Sequence, residues 1–204
     1  MSICAELLCE INLALFKVME VLGQVVARLS FLPTLVFNVA MERVTGRRWW
    51  DRVDGRVILG AIPFRSSYTR ELVEQQGIRA VVALNEPYEL VLCSHQAAGW
   101  AALGATFLHL PTTDLFAAPS QARLRRGVAW ILEQQQGSVY VHCKAGRARS
   151  ATLVAAYLME AEGCGVEEAV ARVREARPHI LLQGHHMEAL KDYHADMVAR
   201  GKEE

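Results

Sequence analysis

Residues 138–157 read SVYVHCKAGRARSATLVAAY. SVYVHC is a short, nearly continuous apolar run, the pattern of a central strand covered on both faces. A loop follows with one cysteine, Cys143, three cations, Lys144, Arg147 and Arg149, and a glycine at its middle. An Ala-rich apolar stretch then resumes as a helix. Strand, glycine-bearing loop and helix in this order turn backbone N–H groups inward and aim a helix N-terminus at the loop centre. The result is an anion cradle.

The small residues Ala145, Gly146 and Ala148 let the backbone come close to an oxyanion. Arg149 follows Cys143 by six residues and its guanidinium can fork onto two oxygens. The same field acts on the thiol. A cysteine at a helix N-terminus beside Arg has its pKa lowered to roughly 3.5–7.5 from about 8.5. The thiolate is then a nucleophile beneath the bound anion. Ser150 can hydrogen-bond the sulfur and improve it as a leaving group, and His142 can orient the cysteine backbone from behind. A lone cysteine closing a buried strand is usually a small hydrophobe. Here the fixed spacing to Arg-Ser, with Gly inside, favours catalysis or anion binding.

Outward from this loop the chain alternates between strand and helix. RVILGAIP (56–63), IRAVVALN (78–85), TFLHLPTTD (106–114) and SVYVHC (138–143) read as strands. Helices are expected from Ser66 or Ser67 as cap to Gln76, then to about Leu103 after a loop at EPYEL. Others run from Pro119–Ser120 to about Gln136, and over 148–162, 166–176 and 185–199. This is an α/β fold, with a mostly parallel central sheet flanked by helices. Ligands of such sheets gather at the carboxyl ends of strands. Asn85, Asp114 and Cys143 all lie at or just past such ends.

The first 42 residues form a separate apolar helical segment ahead of a domain spanning 43–200. Glu6, Glu10, Lys17, Glu20, Gln24 and Arg28 recur at helical steps on one narrow face. Acids interrupt the apolar run, which disfavours a plain membrane span, a secretory signal or a typical organelle presequence. Two readings stay open. The helix packs on the domain or a partner, or it is an in-plane membrane anchor that Pro33 ends before a second apolar patch, 35–41. Arg43, Arg47, Arg48 and Arg52 around Trp49 and Trp50 suit an anionic lipid surface. Otherwise both tryptophans pack into the core. A formal net charge of zero over 204 residues gives no global pull toward nucleic acid. Five cysteines without CxxC or Cys/His ligand spacing point away from disulfides and zinc.

HCKAGRARS (142–150) matches the HCx5R[ST] signature of the cysteine-dependent protein tyrosine phosphatase superfamily, in its dual-specificity form. WWDRVDGRVILGAIPFRS (49–66), NEPYE (85–89), LPTTD (110–114) and VYVHCKAGRARSATLVAAYL (139–158) resemble one branch, the mitochondrial phosphatidylglycerophosphate phosphatases. The likeness covers roughly residues 45–195. It implies a dual-specificity phosphatase-like fold in which Cys143, Arg149 and Ser150 do chemistry and Lys144 to Arg149 bind phosphate. It also implies a general acid on a separate loop, since the leaving oxygen must be protonated. Asp114, 29 residues before Cys143, fits; Asp51, Asp54 and Glu86 are placed less well. NEPYE resembles the loop that frames the pocket, so Glu86, Tyr88 and Glu89 are expected at its rim. Glu89 could instead pair with a loop cation, or the segment could simply cap a helix. The chain departs from the family where relatives carry a water-placing Gln: His186 aligns there, and Gln183 replaces a basic residue of some relatives. His179, His185 and His186 are read as surface residues.

The mechanism needs no metal and no cofactor. Lys144 and Arg147 exceed what one phosphate requires and suit a doubly phosphorylated lipid headgroup; otherwise they face solvent or pair with Glu89. The expected function is therefore removal of the terminal phosphate of phosphatidylglycerophosphate at a membrane surface. The alternatives are phosphotyrosine/phosphothreonine proteins or phosphoinositides. The resemblance implies a mitochondrial location, at the inner membrane facing the matrix, and no obligate partner or nucleic acid.

Overall fold

The computed structural model describes residues 3–65, 67–114 and 117–201, with side chains from residue 21 onward except at Ser67. The proposed cap Ser66 and the polar face at Glu6 to Glu20 lie outside the described groups. Five strands form one sheet: β1 (Trp50–Arg52), β2 (Val57–Gly60), β3 (Ile78–Ala83), β4 (Thr106–His109) and β5 (Ser138–His142). Their order is β1-β2-β5-β3-β4, with β1 antiparallel at the edge and the other pairs parallel. The strand carrying SVYVH is central, and all five of its residues are buried.

Two-residue periodicity sends alternate side chains of these strands to opposite faces. Val57, Leu59, Val82, Val139 and Val141 share one core with helix α6 (Arg149–Glu162) and its neighbours α5 (Gln121–Glu133), α7 (Val166–Ala176) and α8 (Gly184–Arg200). Ile58, Val81 and Tyr140 point the other way, into a core with Leu72 of α2 (Ser67–Glu74) and Trp100 of α4 (Ala97–Ala102). The expected α/β architecture stands, with two local differences. EPYEL is not a loop: α3 covers Pro87–Cys93, because Pro87 suits a first helical turn and the Glu86 N–H donates to Glu89 Oε2 at 2.6 Å. The chain then breaks before α4 instead of running on as one helix.

The larger difference is at the N-terminus. Pro33 does not end the helix; α1 runs from Ile3 to Thr45 through it. A proline removes one donor and crowds the preceding turn. Here that turn is tied by the Thr34 hydroxyl, which donates to the Ser30 carbonyl at 2.6 Å. Tertiary packing holds the helix as well. Ala27, Phe31 and Leu35, spaced four apart on one face, are buried, and Phe31 and Leu35 share a third core with Trp49, Ile62 and Leu90. The remaining faces expose Val21, Leu22, Val25, Val26, Leu29, Leu32, Val36 and Phe37. Over Val21–Thr45 the helix is long and apolar enough to cross a membrane by length and composition. The tryptophan pair belongs to the core rather than to a lipid-facing surface. Trp49 is buried, donates Nε1–H to the Ile62 carbonyl at 2.9 Å and stacks on Phe64, while Trp50 packs edge-on against Tyr68.

Candidate active site

The loop 143–148 hangs between β5 and α6 at the carboxyl edge of the sheet, beside the ends of β3 and β4. Its tight path depends on glycine. Gly146 has φ +65°, and a Cβ there would lie 2.4 Å from the Gly60 carbonyl carbon. No side chain fits between these two backbones. Cys143 is buried at the loop's start, and the Ser150 hydroxyl donates to its Sγ at 3.1 Å. Burial works against the thiolate and is the largest single influence. Arg149, the Ser150 hydroxyl and the Ser150 backbone N–H outweigh it, so the thiol sits below its ordinary pKa. Behind it, burial pushes His142 down to about 3, against the opposing pull of the Cys143 backbone, so the imidazole is neutral.

Arg149 is 1% exposed. Its two terminal nitrogens take both oxygens of buried Glu89, at 2.8 and 3.1 Å. Nη1 also donates to the Thr112 carbonyl at 2.8 Å, and Nη2 reaches Asp114 Oδ1 at 3.1 Å. A fork clamped from behind cannot swing, so its direction is set before any anion arrives. Asp114 is 13% exposed at its side chain, and its second oxygen pairs with the Lys144 amine. Lys144 in turn donates to the Thr34 hydroxyl of α1 at 2.8 Å. Thus Asp114, from the segment after β4, meets Lys144 and Arg149, from the loop after β5, next to Cys143.

A second arginine, absent from the sequence expectations, holds the loop's other side. Arg177 is 1% exposed, and its Nε and Nη2 donate to the carbonyls of Gly146 and Ala145 at 2.8 and 3.1 Å. Its Nη1 pairs with Asp51 Oδ2 at 2.6 Å. Asp51 is therefore a structural counter-ion, also paired with Arg48. The neighbouring segment adds two more ties. Leu181 N–H donates to the Arg147 carbonyl at 2.8 Å, and Arg147 Nε donates to the His179 carbonyl at 3.0 Å.

A cleft of about 250 Å³ opens over Cys143, lined by Asp114, Lys144, Ala145, Arg147, Ala148 and Arg149 from the expected set. Gly146 and Ser150 support it from behind. Glu86, Tyr88 and Glu89 do not line it. Glu89 is spent on Arg149, Glu86 heads α3, and Tyr88 packs edge-on against Phe31 and beneath Arg28 of α1. Lys144 pairs with Asp114, not with Glu89. Leu181, Gln183 and His186 form one remaining wall, and Thr34, Phe37 and Asn38 of α1 form another. His186 is not a surface residue: it is 3% exposed and its Nδ1 accepts the Gln183 backbone N–H at 3.2 Å. Burial, then the charge of His185, lowers it to about 4, so it is neutral near pH 7. Among the described residues no three His, Cys, Asp or Glu side chains group as metal ligands, and Cys93, Cys143 and Cys164 are free thiols.

The family described as dual specificity phosphatase, catalytic domain, matches residues 66–196. Phosphatidylglycerophosphatase and protein-tyrosine phosphatase 1 of Rattus norvegicus is 42% identical over 179 residues, which cover 85% of this chain and 92% of that protein. The Homo sapiens protein of the same name is 40% identical, over 85% of this chain and 89% of its own. A crystal structure of PTPMT1 in complex with PI(5)P superposes with a TM-score of 0.72 at 38% identity, covering 76% of this chain and 99% of that one. With a cysteine, a clamped arginine and a strand-to-helix anion loop in one cleft, the chain belongs to the dual specificity phosphatase family and is a cysteine-dependent phosphatase.

Proposed function

We propose that the protein removes the terminal phosphate of phosphatidylglycerophosphate through a cysteinyl-phosphate intermediate. The observation that carries this reading is the cleft's surplus of charge. Lys144 and Arg147 line it in addition to Arg149, and it opens beside the exposed apolar faces of α1. One phosphate needs one clamped guanidinium; two further cations match a headgroup with a second phosphate. The relatives named as phosphatidylglycerophosphatases support the same assignment.

In the first step the Cys143 thiolate attacks phosphorus, and the bond to the glycerol oxygen breaks. Arg149 and the loop N–H groups hold the equatorial oxygens. Asp114 gives its proton to the departing oxygen. In the free site its carboxylate shares Arg149 and Lys144; a phosphate seated on Arg149 takes over that edge, and Asp114 takes up from water the proton that it then gives to the ester oxygen. In the second step Asp114 accepts a proton from water, whose oxygen attacks phosphorus. The S–P bond breaks, and the thiolate returns to the Ser150 hydroxyl. Gln183 and neutral His186, on the facing wall, are the groups placed to orient that water.

The membrane side of the proposal rests on α1. One face packs on the domain from Ala27 to Leu35, so the stretch Val21–Thr45 cannot cross a bilayer while Phe31 and Leu35 stay in the core. Lying in the plane of an interface satisfies both its packed and its exposed faces. We assign the protein to the mitochondrial inner membrane, facing the matrix, on the strength of the family resemblance. The phosphoinositide and phosphoprotein readings are tested together with the main one. Phosphate release is measured from vesicles carrying phosphatidylglycerophosphate, from vesicles carrying phosphatidylinositol 5-phosphate and from phosphopeptides. The first is expected to give the highest kcat/KM; preference for a phosphopeptide would overturn the proposal. Asp114→Asn should slow this alkyl ester far more than an aryl phosphate with a good leaving group. Equal slowing would remove Asp114 as the acid.

A further inference from the structure

The family model matches residues 66–196, and α1 lies ahead of that match. An anchor needs only an apolar face; α1 also reaches the reacting centre. The Thr34 hydroxyl accepts the Lys144 ammonium at 2.8 Å while donating to the Ser30 carbonyl at 2.6 Å, so its lone pair is aimed at the lysine. The Phe31 ring lies 5.9 Å from the same ammonium. Lys144 is 4% exposed, and its flexible stem ends among Thr34, Phe31 and Asp114. About one helical turn beyond Thr34, Phe37 and Asn38 line the cleft itself, facing the wall of Leu181 and Gln183. Polar Asn38 thus sits in the mouth through which a substrate's remainder must pass, and Phe37 is 54% exposed beside it.

We propose that α1 is a wall of the active site: Thr34 is a positioning residue for Lys144, and Asn38 and Phe37 contact the lipid headgroup beyond the reacting phosphate. Lysine is a compact charge on a mobile stem, so its use as a directional anion contact requires something to hold it. Thr34 does so from a helix ahead of the family match. Docking of α1 and recognition of a second phosphate are thereby one event. A small aryl phosphate, which ends at the reacting phosphate, gains less from this wall. The inference rests on the phospholipid reading above.

The test uses the full chain carrying Thr34→Val, Thr34→Ser or Asn38→Asp. kcat and KM are measured on phosphatidylglycerophosphate in phosphatidylcholine vesicles and on para-nitrophenyl phosphate. Loss of a hydrogen bond to a charged group predicts that Thr34→Val raises the lipid KM about tenfold. Its aryl phosphate KM should rise by a clearly smaller factor than its lipid KM, and Thr34→Ser should restore the lipid KM. Asn38→Asp, which places a carboxylate in the mouth, should raise the lipid KM at least as much, and by a larger factor than the KM of the aryl ester. Equal losses on both substrates, an unchanged lipid KM in both Thr34→Val and Asn38→Asp, or failure of serine to rescue would overturn the proposal. If the parent enzyme ignores phosphatidylglycerophosphate but hydrolyses phosphatidylinositol 5-phosphate, the substrate assignment falls. The same contrast on that lipid then decides the role of α1. An enzyme active only on phosphopeptides overturns both.

Discussion

Two buried arginines flank the same loop on opposite sides. Arg149 is fixed by Glu89 and the Thr112 carbonyl and turns toward the cleft, where Asp114 and Cys143 lie. Arg177 is fixed by Asp51 and spends its other donors on the carbonyls of Ala145 and Gly146. Both are equally buried and both are ion-paired. They differ in what the guanidinium faces. The front arginine keeps an edge for an oxyanion; the back one consumes the loop's own acceptors. Aiming backbone N–H groups inward sends carbonyls outward, and those carbonyls need donors in a region without water. The anion cradle therefore exists because a cation stands behind it as well as in front.

The sharpest way to test this division is to remove each function separately. Cys143→Ser should lower turnover by roughly 10⁴-fold or more, as loss of a nucleophile does, while vesicle-bound lipid is still retained in a flotation assay. Arg149→Lys keeps a charge but loses the fork, so kcat should fall about 10²–10³-fold. Its melting temperature should drop less than that of Arg177→Met, which leaves Asp51 buried and under-compensated at a cost of about 3–5 kcal/mol. Calorimetry and steady-state kinetics on both variants would show the crossover. If Arg177→Met lost activity without losing stability, the back of the loop would have a chemical role that the contacts do not predict.

Smaller effects concern protons. The Ser150 hydroxyl helps hold the Cys143 thiol below its ordinary pKa, so Ser150→Ala should move the acid limb of kcat/KM to higher pH. It should also slow breakdown of the intermediate, about tenfold at most. An unshifted acid limb would mean that Arg149 alone sets the thiolate. His142 is kept neutral, with its folded pKa near 3 against about 6.5 when unfolded. Below about pH 6.5 the unfolded chain takes up a proton that the fold refuses. Stability is thus full above that pH and declines as pH falls toward 3, by up to about 1.4 kcal/mol per pH unit from this residue. Urea titrations between pH 7 and 5 measure the slope. A slope unchanged in His142→Phe would remove His142 as its source.

The front of the loop was legible in the sequence because chemistry fixes its spacing. Cysteine, glycine, arginine and serine must recur at set intervals within nine residues, and the flanking apolar runs announce the strand and helix. The back was not legible. Arg177 and Asp51 lie 126 residues apart, and nothing local in either segment predicts their pairing. For Glu89 the sequence leaves a pocket rim, a pair with a loop cation and a helix cap open together; folding the segment as helix α3 realises the cap and turns the carboxylate inward to Arg149. A local rule assigns a break to proline and so ends α1 at Pro33. Packing of Phe31 and Leu35 on either side of it overrides that rule. The same packing brings Thr34 within reach of Lys144, a contact between residues 110 positions apart.

Chemical quench of the enzyme during turnover of phosphatidylglycerophosphate vesicles, followed by mass spectrometry of its peptides, tests the central claim most directly. A phosphate adduct on the peptide carrying Cys143, formed early in turnover, persisting longer in Ser150→Ala and absent from Cys143→Ser, is the predicted result. Turnover of the lipid with no adduct on that peptide, or activity surviving in Cys143→Ser, would contradict it.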